Sequence, residues 1–415
     1  MATSVLDTID LTDPELYRYG FPHDLFCVLR EEAPVWWHPA MPGRWQAGGG
    51  FWVVSRHADV QTVSRDLQRF RSFEGPALTE MAEDMHGSMI VAMDPPDHTR
   101  LRRLISAGFT PRMVAQLDSQ ARAWAVAIVE RALEHGTCNF VQEVAYQLPM
   151  HMIADIMGIP VADREWLFEH VNVLLQSTDP KAPLSREERA AVEVELYGYA
   201  HELGAEKRRC PADDVWTTLT TAEIDSGNGD PTQLTELELD LFFFVLTAAG
   251  SETTRNAISA GLIALLENPD QLDLLRRDPV VMSTAVDEIL RWTSPVSYFR
   301  RTATAETEIS GVPIAQGERV TMWFPSANRD DDAFDDPFAF DIARAVNPHV
   351  TLGGGGVHYC LGANLAKREI RVMFEELLAR VDEIEIVGPA QYAVQGIGNP
   401  IVMSLQDLPV RLSAR

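Results

Sequence analysis

Four consecutive glycines, Gly353 to Gly356, precede a cysteine, Cys360, near the C-terminal end of the 415-residue chain. A glycine run forms no ordinary helix or strand cheaply, because glycine loses more conformational freedom on ordering than any other residue. It does let the backbone pass very close to a flat object. From Ala363 the apolar residues recur at three-to-four spacing, which predicts a helix. Cys360 is therefore predicted to lie just ahead of a helix N-terminus.

This position determines the expected chemistry of the sulfur. Free backbone N–H groups and the helix dipole lower the pKa of a thiol and stabilise a thiolate. A lone thiolate under a glycine-lined flat space suits the axial position of a haem iron. Two plainer interpretations stay open: a small buried hydrophobic cysteine, and an ordinary glycine loop. A phosphate-binding loop is conceivable, but no Gly-Lys-Ser/Thr follows and the G-x-G-x-x-G spacing fails at Tyr359.

A second segment predicts one long buried helix. Thr235 and Glu238 form a capping-box pattern, and an apolar run from Leu239 to Leu266 stops at Asn268-Pro269. A helix of this length spans about 50 Å. Its uncharged stretch, between Asp240 and Glu252, is too short to cross a membrane.

Inside this helix lies Ala249-Gly-Ser-Glu-Thr-Thr254, which places a carboxylate and hydroxyls in apolar surroundings. The plain interpretation of Thr253 is a hydrogen bond to a carbonyl one turn earlier. The plain interpretation of Glu252 is an ion pair with Arg255 or a solvated edge.

Two shorter patterns complete the set. Glu288 and Arg291 are three apart, so they share a helix face and can form an ion pair. His98 and Arg102 are four apart on another predicted helix, and paired cations suit carboxylates such as haem propionates. Taken singly, each of these residues is better explained by an exposed or paired charge.

Together these segments resemble the cytochrome P-450 family of haem-thiolate monooxygenases, in the family order over positions 94 to 362. His358, Cys360 and Gly362 match the haem-binding signature, and Ala249 to Thr254 matches the oxygen-activation motif. Leu352 stands where the family usually has Phe, and the glycine stretch is one residue longer than usual. The longer form resembles a bacterial branch that oxidises sterols, terpenoids and methyl-branched lipids.

The resemblance implies a mainly α fold with small β-sheets, the cytochrome P-450 fold, as one domain over residues 1–415. It implies non-covalent haem b (iron protoporphyrin IX) with Cys360 as the iron ligand. Ala249 and Gly250 would leave room for dioxygen, Thr253 would hydrogen-bond it, and Glu252 would relay protons. Glu288, Arg291 and Arg344 would form a structural trio. The implied contacts to the haem propionates are His98, Arg102, Arg301, His349 and His358.

Composition limits the partners. The net charge of −26 argues against binding nucleic acid or anionic membrane surfaces. The four cysteines have no metal-site spacing, and the first residues show no signal or membrane anchor, so a cytoplasmic protein is expected. No linker or repeat divides the chain.

The implied reaction takes electrons from a ferredoxin and its ferredoxin reductase. A basic patch would receive the ferredoxin, and its candidates are Arg100, Arg103, Arg112, Lys367, Arg368 and Arg371. By family position, a pocket for a lipophilic substrate is lined by Leu78, Met81, Met85, Met89, Ile90, Val245, Val296 and Phe299, with Ile397 nearby. Two alternatives remain: a peroxygenase driven by hydrogen peroxide, and a haem-thiolate binding or sensor protein without turnover.

Overall fold

The structure is a computed structural model that describes residues 5–41, 49–79, 81–107, 111–176, 184–225, 231–394 and 402–415. Its α-helices are α1 His23–Glu32, α2 His57–Arg65, α3 Asp97–Ala107, α4 Pro111–His135, α5 Gln147–Met157, α6 Val161–Gln176, α7 Arg186–Arg209, α8 Val215–Thr221, α9 Glu236–Glu267, α10 Pro269–Arg277, α11 Met282–Thr293, α12 Phe324–Ala327 and α13 Ala363–Arg380. Its strands are β1 Val35–His38, β2 Phe51–Val54, β3 Phe70–Arg71, β4 Thr137–Asn139, β5 Ile224–Asp225, β6 Pro231–Thr232, β7 Tyr298–Ala303, β8 Thr307–Ile309, β9 Val312–Ile314, β10 Arg319–Trp323, β11 Val381–Ile386, β12 Gln391–Val394, β13 Met403–Asp407 and β14 Pro409–Ala414.

The chain divides into two compact units, each assembled from separate stretches of sequence. The first unit comprises Met1–His86, Ser259–Ala363 and Ala390–Gln406, and the second comprises Gly87–Ile258, Asn364–Pro389 and Asp407–Arg415. The prediction of a single domain over residues 1–415 stays a prediction.

The first unit is built on a five-stranded sheet in the order β1-β2-β10-β7-β3. Its pairs are antiparallel except β2 and β10, which run parallel with Thr321 opposite Val53. Valines and other apolar residues of the strands and of α2 form one core cluster, which includes Val54, Val60, Val63 and Val320. Burial of this apolar surface fixes α2 against the sheet.

The second unit is mainly helical. Helix α5 is buried along most of its length, including Leu148, Met152 and Ile156, and it contacts α4, α6 and α8. A three-stranded sheet, β11-β14-β4, belongs to the same unit. Helix α9 begins with the predicted capping box: the Glu238 N–H donates to Thr235 Oγ1 over 3.2 Å, and the Thr235 N–H donates to Glu238 Oε2 over 2.9 Å.

The structure confirms the mainly α class with small β-sheets. The run Phe51–Val54 forms β2, and the stretches 113–133 and 187–203, whose apolar residues recur at helical spacing, lie inside α4 and α7. Helix α9 spans 32 residues and ends before Asn268-Pro269, as predicted. Among the described residues, no helix is long and apolar enough to span a membrane.

Candidate active site

Cys360 lies on a hydrogen-bonded loop that leads directly into α13. Its N–H donates to the carbonyl of Leu352 over 2.9 Å, which closes the glycine loop into a tight return. Its own carbonyl accepts the N–H of Ala363, the first residue of α13, over 3.3 Å. The side chain is exposed. The sequence prediction of a cysteine just before a helix N-terminus is therefore confirmed.

The glycine run is needed for backbone conformation. Gly353, Gly355 and Gly356 have φ values of +90°, +98° and +81°, in the left-handed region that residues with a side chain rarely adopt. The start of the loop is fixed separately, because Asn328 donates to Thr351 Oγ1 and accepts the N–H of Val350, each over 2.8 Å. The loop is thus ordered at its start and at its return to α13.

Three of the predicted propionate contacts belong to the first unit. The Nε2 of His358 lies 3.0 Å from Ser72 Oγ. Arg301 is 3% exposed on β7, and its Nη1 donates to the carbonyl of Arg300 over 2.8 Å. His349 Nε2 lies 3.5 Å from Asp287 Oδ1, while its Nδ1 is buried with no hydrogen-bond partner among the described residues. His349 thus faces a carboxylate of its own unit.

The structural trio is present in the same unit and is fully buried at its centre. Arg291 makes a bidentate pair with Glu288, with two N–O distances of 2.7 Å, and both side chains are 0% exposed. Arg344 Nε lies 3.3 Å from Glu288 Oε2 without hydrogen-bond geometry, so its attraction to that carboxylate is electrostatic. Its Nη groups donate instead to the carbonyls of Asp335, Asp336 and Ala339. This charge network fixes the segment that precedes the cysteine loop.

The residues predicted to activate oxygen, Ala249 to Thr254, lie on α9 in the second unit. The Thr253 hydroxyl donates to the carbonyl of Ala249 over 2.8 Å, the back-bond that the sequence allowed as the plain interpretation. Arg255 Nη2 donates to Glu252 Oε1 over 3.3 Å, and the two side chains are 0% and 4% exposed. Glu252 is thus a buried carboxylate held by a buried cation.

The guanidinium of Arg255 lies 5.7 Å from the centroid of the Tyr146 ring, whose hydroxyl donates to the carbonyl of Phe168. Burial raises the pKa of the Tyr146 hydroxyl well above its ordinary value, an effect that nearby Arg255 opposes and Glu252 adds to. Sequence reasoning missed Tyr146, because no local pattern links it to α9.

Gly250 is explained by helix packing. A Cβ built at this position would stand 3.2 Å from Cδ1 of Ile153 on α5. The glycine therefore allows α9 and α5 to approach each other, and the exposed Ala249 is the other small residue of the motif. In the same unit, His98 is 1% exposed and Arg102 is half-buried on α3, four residues apart as predicted.

The predicted basic patch is largely interleaved with acids. Arg368 pairs with Asp118, Arg100 pairs with Glu238, and Arg371 Nε lies 2.6 Å from Glu375 Oε1. Arg103 is exposed. The side chain of Arg112 and the whole of Ile397 lie outside the described residues. Leu78, a predicted pocket residue, packs in a core cluster with Tyr298 and Trp323.

Comparison with known proteins decides the family. Residues 39–281 and 279–382 match the family model described as Cytochrome P-450. This chain belongs to the cytochrome P-450 family. It is 41% identical over 390 residues, 91% of this chain and 80% of the relative, to a steroid C26-monooxygenase of Rhodococcus jostii (strain RHA1). It is 39% identical over 398 residues, 94% of this chain and 90% of the relative, to a methyl-branched lipid omega-hydroxylase of Mycobacterium bovis (strain ATCC BAA-935 / AF2122/97).

The fold agrees with this assignment. The solved structure of Mycobacterium marinum cytochrome P-450 CYP268A2 in complex with pseudoionone matches with a TM-score of 0.87 at 38% identity, covering 99% of this chain and 100% of that one. The cytochrome P-450 fold is thus confirmed. The chain is a cytochrome P-450 monooxygenase, and membership of the family implies a haem cofactor.

The residues present fit such a group. Cys360 offers a soft sulfur ligand shortly after four glycines that carry no side chains, and His358 supplies a hydrogen-bonding ring two residues before it. Among the other three cysteines, Cys138 is buried, and burial raises the pKa of its thiol to about 11. Nothing in the described part of the chain groups three or more His, Cys, Asp or Glu side chains into an ordinary metal site.

Proposed function

We propose that this cytochrome P-450 hydroxylates a lipophilic small molecule of the sterol, terpenoid or fatty-chain type. It uses dioxygen and electrons from a ferredoxin with its ferredoxin reductase. The proposal depends chiefly on one observation: the glycine loop places Cys360 just before the first residue of α13. Relatives named as a steroid C26-monooxygenase and a methyl-branched lipid omega-hydroxylase support the substrate class.

Cys360 would hold the haem through its sulfur, and the haem would be the non-covalent b form. Bound haem supplies the activation of dioxygen, and a thiolate ligand pushes electron density that favours cleavage of the O–O bond. The N-terminal end of α13 stabilises the negative charge on the Cys360 sulfur. Gly362, the next glycine after the cysteine, has open space around it and keeps the start of the helix clear of side chains.

The basic residues bind the two propionates as charge-assisted hydrogen-bond donors. Those proposed are His98, Arg102, Arg301, His349 and His358. His98 and Arg301 are buried, and their side-chain nitrogens can donate hydrogen bonds to carboxylates. His349 contributes least, since Asp287 already lies beside its ring.

Thr253 and Glu252 act on dioxygen: Thr253 hydrogen-bonds it, and Glu252 relays protons to it. The hydroxyl hydrogen of Thr253 is committed to the carbonyl of Ala249, so its oxygen presents lone pairs that accept a hydrogen bond. Glu252 carries protons inward, and Arg255 holds its carboxylate in place between transfers. Ala249 and Gly250 keep this stretch of α9 free of bulky groups.

Turnover tests the proposal. The purified holoprotein is supplied in parallel with a ferredoxin, its reductase and NAD(P)H, or with hydrogen peroxide alone, and with a panel of sterols, terpenoids and branched fatty acids. Binding is followed by the shift of the haem Soret band. We expect hydroxylated product from at least one lipid in the ferredoxin arm. Product only with peroxide would favour a peroxygenase, and band shifts without product in either arm would favour a binding protein.

A further inference from the structure

Helix α2 contacts the glycine loop at three successive residues. Ser64 Oγ donates to the carbonyl of Gly355, and Arg65 Nε donates to the carbonyl of Gly354, each over 3.0 Å. Ser64 is 2% exposed, whereas the Arg65 residue is exposed. The bonded residues are 291 and 289 positions apart in the sequence.

The same contact explains why the loop has glycines here. A Cβ at Gly354 would stand 3.0 Å from Ser64 Cβ, one at Gly355 would stand 2.6 Å from Arg65 Nε, and one at Gly356 would stand 2.9 Å from the Ser64 carbonyl oxygen. A side chain at Gly356 would meet the backbone of α2, one at Gly354 would crowd Ser64, and one at Gly355 would displace the Arg65 side chain. The glycines therefore allow the backbone of the loop to approach the side chains of α2 closely.

Helix α2 is itself firmly anchored. Val60 and Val63 belong to the core cluster of the sheet. The His57 N–H at its first turn donates to Asp330 Oδ2 over 2.7 Å, and His57 Nε2 lies 2.8 Å from the Pro348 carbonyl. Because α2 packs against the sheet core, its bonds to the glycine loop fix the position of the loop relative to that core.

We propose that Ser64 and Arg65 are positioning residues that hold the Gly354–Gly356 backbone and thereby fix the orientation of the Cys360 sulfur. This inference rests on the proposed role of Cys360 as the haem ligand. Between the anchor at Asn328 and the return at Cys360, these two bonds tie the middle of the loop to a helix. A loop released from α2 lets the sulfur leave its ligating orientation.

Two substitutions at Arg65 separate the hydrogen bond from the charge. Arg65→Gln places an amide donor at the position of Nε but removes the charge, whereas Arg65→Lys keeps the charge and places a carbon there. Ser64→Ala removes the other donor. Matched controls lose a similar bond elsewhere: Arg277→Lys, whose Nε donates to the Asp273 carbonyl over 3.1 Å, and Thr62→Ala, whose hydroxyl donates to the Ala58 carbonyl on α2 itself.

The measurement is the rate at which the reduced, carbon monoxide-bound holoprotein loses its thiolate-type Soret band, with thermal unfolding recorded on the same samples. Loss of one hydrogen bond should accelerate the conversion about fivefold in Arg65→Lys and in Ser64→Ala. Arg65→Gln and both controls should convert at the wild-type rate. Equal rates in all variants, or acceleration in Arg65→Gln but not in Arg65→Lys, would overturn the proposal.

A double-mutant cycle distinguishes loss of the direct contact between Gly354 and Ser64 from a general loss of stability. Gly354→Ala should accelerate conversion when Ser64 is present, but add nothing when it is combined with Ser64→Gly, because the opposing Cβ is gone. Additive effects would contradict a direct contact. If the wild-type protein itself shows no thiolate-type band, the proposed function fails instead of this inference.

Discussion

At the scale of single residues, the proposed mechanism assigns a functional role to ordinary structural contacts on α9. The back-bond from Thr253 to Ala249 is one that threonines within helices commonly make. It also fixes the direction of the hydroxyl hydrogen, which leaves the oxygen as an acceptor. The ion pair between Glu252 and Arg255 likewise satisfies a buried charge, and in the proposed mechanism it holds the proton carrier in place.

Thr253→Ala should therefore uncouple oxygen consumption from product formation. Loss of a hydrogen-bonded proton path costs on the order of a hundredfold in the productive rate. The assay is product formed per NAD(P)H consumed, with hydrogen peroxide measured alongside, and peroxide should rise as product falls. Thr247→Ala is the control, because its hydroxyl donates to the Phe243 carbonyl on the same helix. Unchanged coupling in Thr253→Ala would remove this residue from the mechanism.

At the scale of elements, the segment between α11 and the cysteine loop depends on one buried carboxylate. Glu288 accepts from Arg291, from the backbone N–H of Asp341 and from Asn347. Removal of one partner from a buried ion pair leaves an uncompensated charge.

Arg291→Gln should lower the free energy of unfolding by about 3–5 kcal/mol. The matched control is Arg411→Gln, which breaks an exposed pair with Glu385 and should cost about 0–1 kcal/mol. Chemical denaturation of both variants gives the comparison. Similar losses in the free energy of unfolding would show that burial does not determine how much the ion pair of Glu288 with Arg291 stabilises the fold.

Helix α13 carries a buried acid, Glu369, whose ionised form lowers the stability of the fold, whereas the Glu288 ion pair raises it. Burial alone raises the pKa of Glu369 to about 8, and the residue is 2% exposed. Because the folded-state pKa lies above the unfolded value, folding favours the protonated acid. The cost is absent below the unfolded pKa and grows as pH rises toward 8.

Glu369→Gln should therefore stabilise the protein by up to about 3 kcal/mol at pH 7, with the gain disappearing near pH 4. Unfolding curves at several pH values measure the difference from wild type. Glu385→Gln, at an exposed position, should show no such pH-dependent gain. A gain from Glu369→Gln that does not change with pH would contradict titration as its cause.

At the scale of the whole molecule, local patterns in the sequence predicted much of the site. The capping box, the cysteine before α13 and the pair of Glu288 with Arg291 each involve residues a few positions apart, so their geometry follows from helix periodicity. The contacts of the loop with Ser64, Arg65 and Ser72 join residues nearly 290 positions apart, and no periodicity encodes them. The sheet order β1-β2-β10-β7-β3 is likewise set by long-range packing.

The central claim is that Cys360 supplies a thiolate to haem iron. The most direct measurement is the absorption spectrum of the reduced protein under carbon monoxide, for the wild type and for Cys360→Ala beside Cys27→Ala, Cys138→Ala and Cys210→Ala. If Cys360 is the ligand, the wild type and the last three variants should show the red-shifted Soret band of thiolate ligation, and Cys360→Ala should lose it. A fresh native protein that lacks this band, or a Cys360→Ala protein that keeps it, would contradict the account.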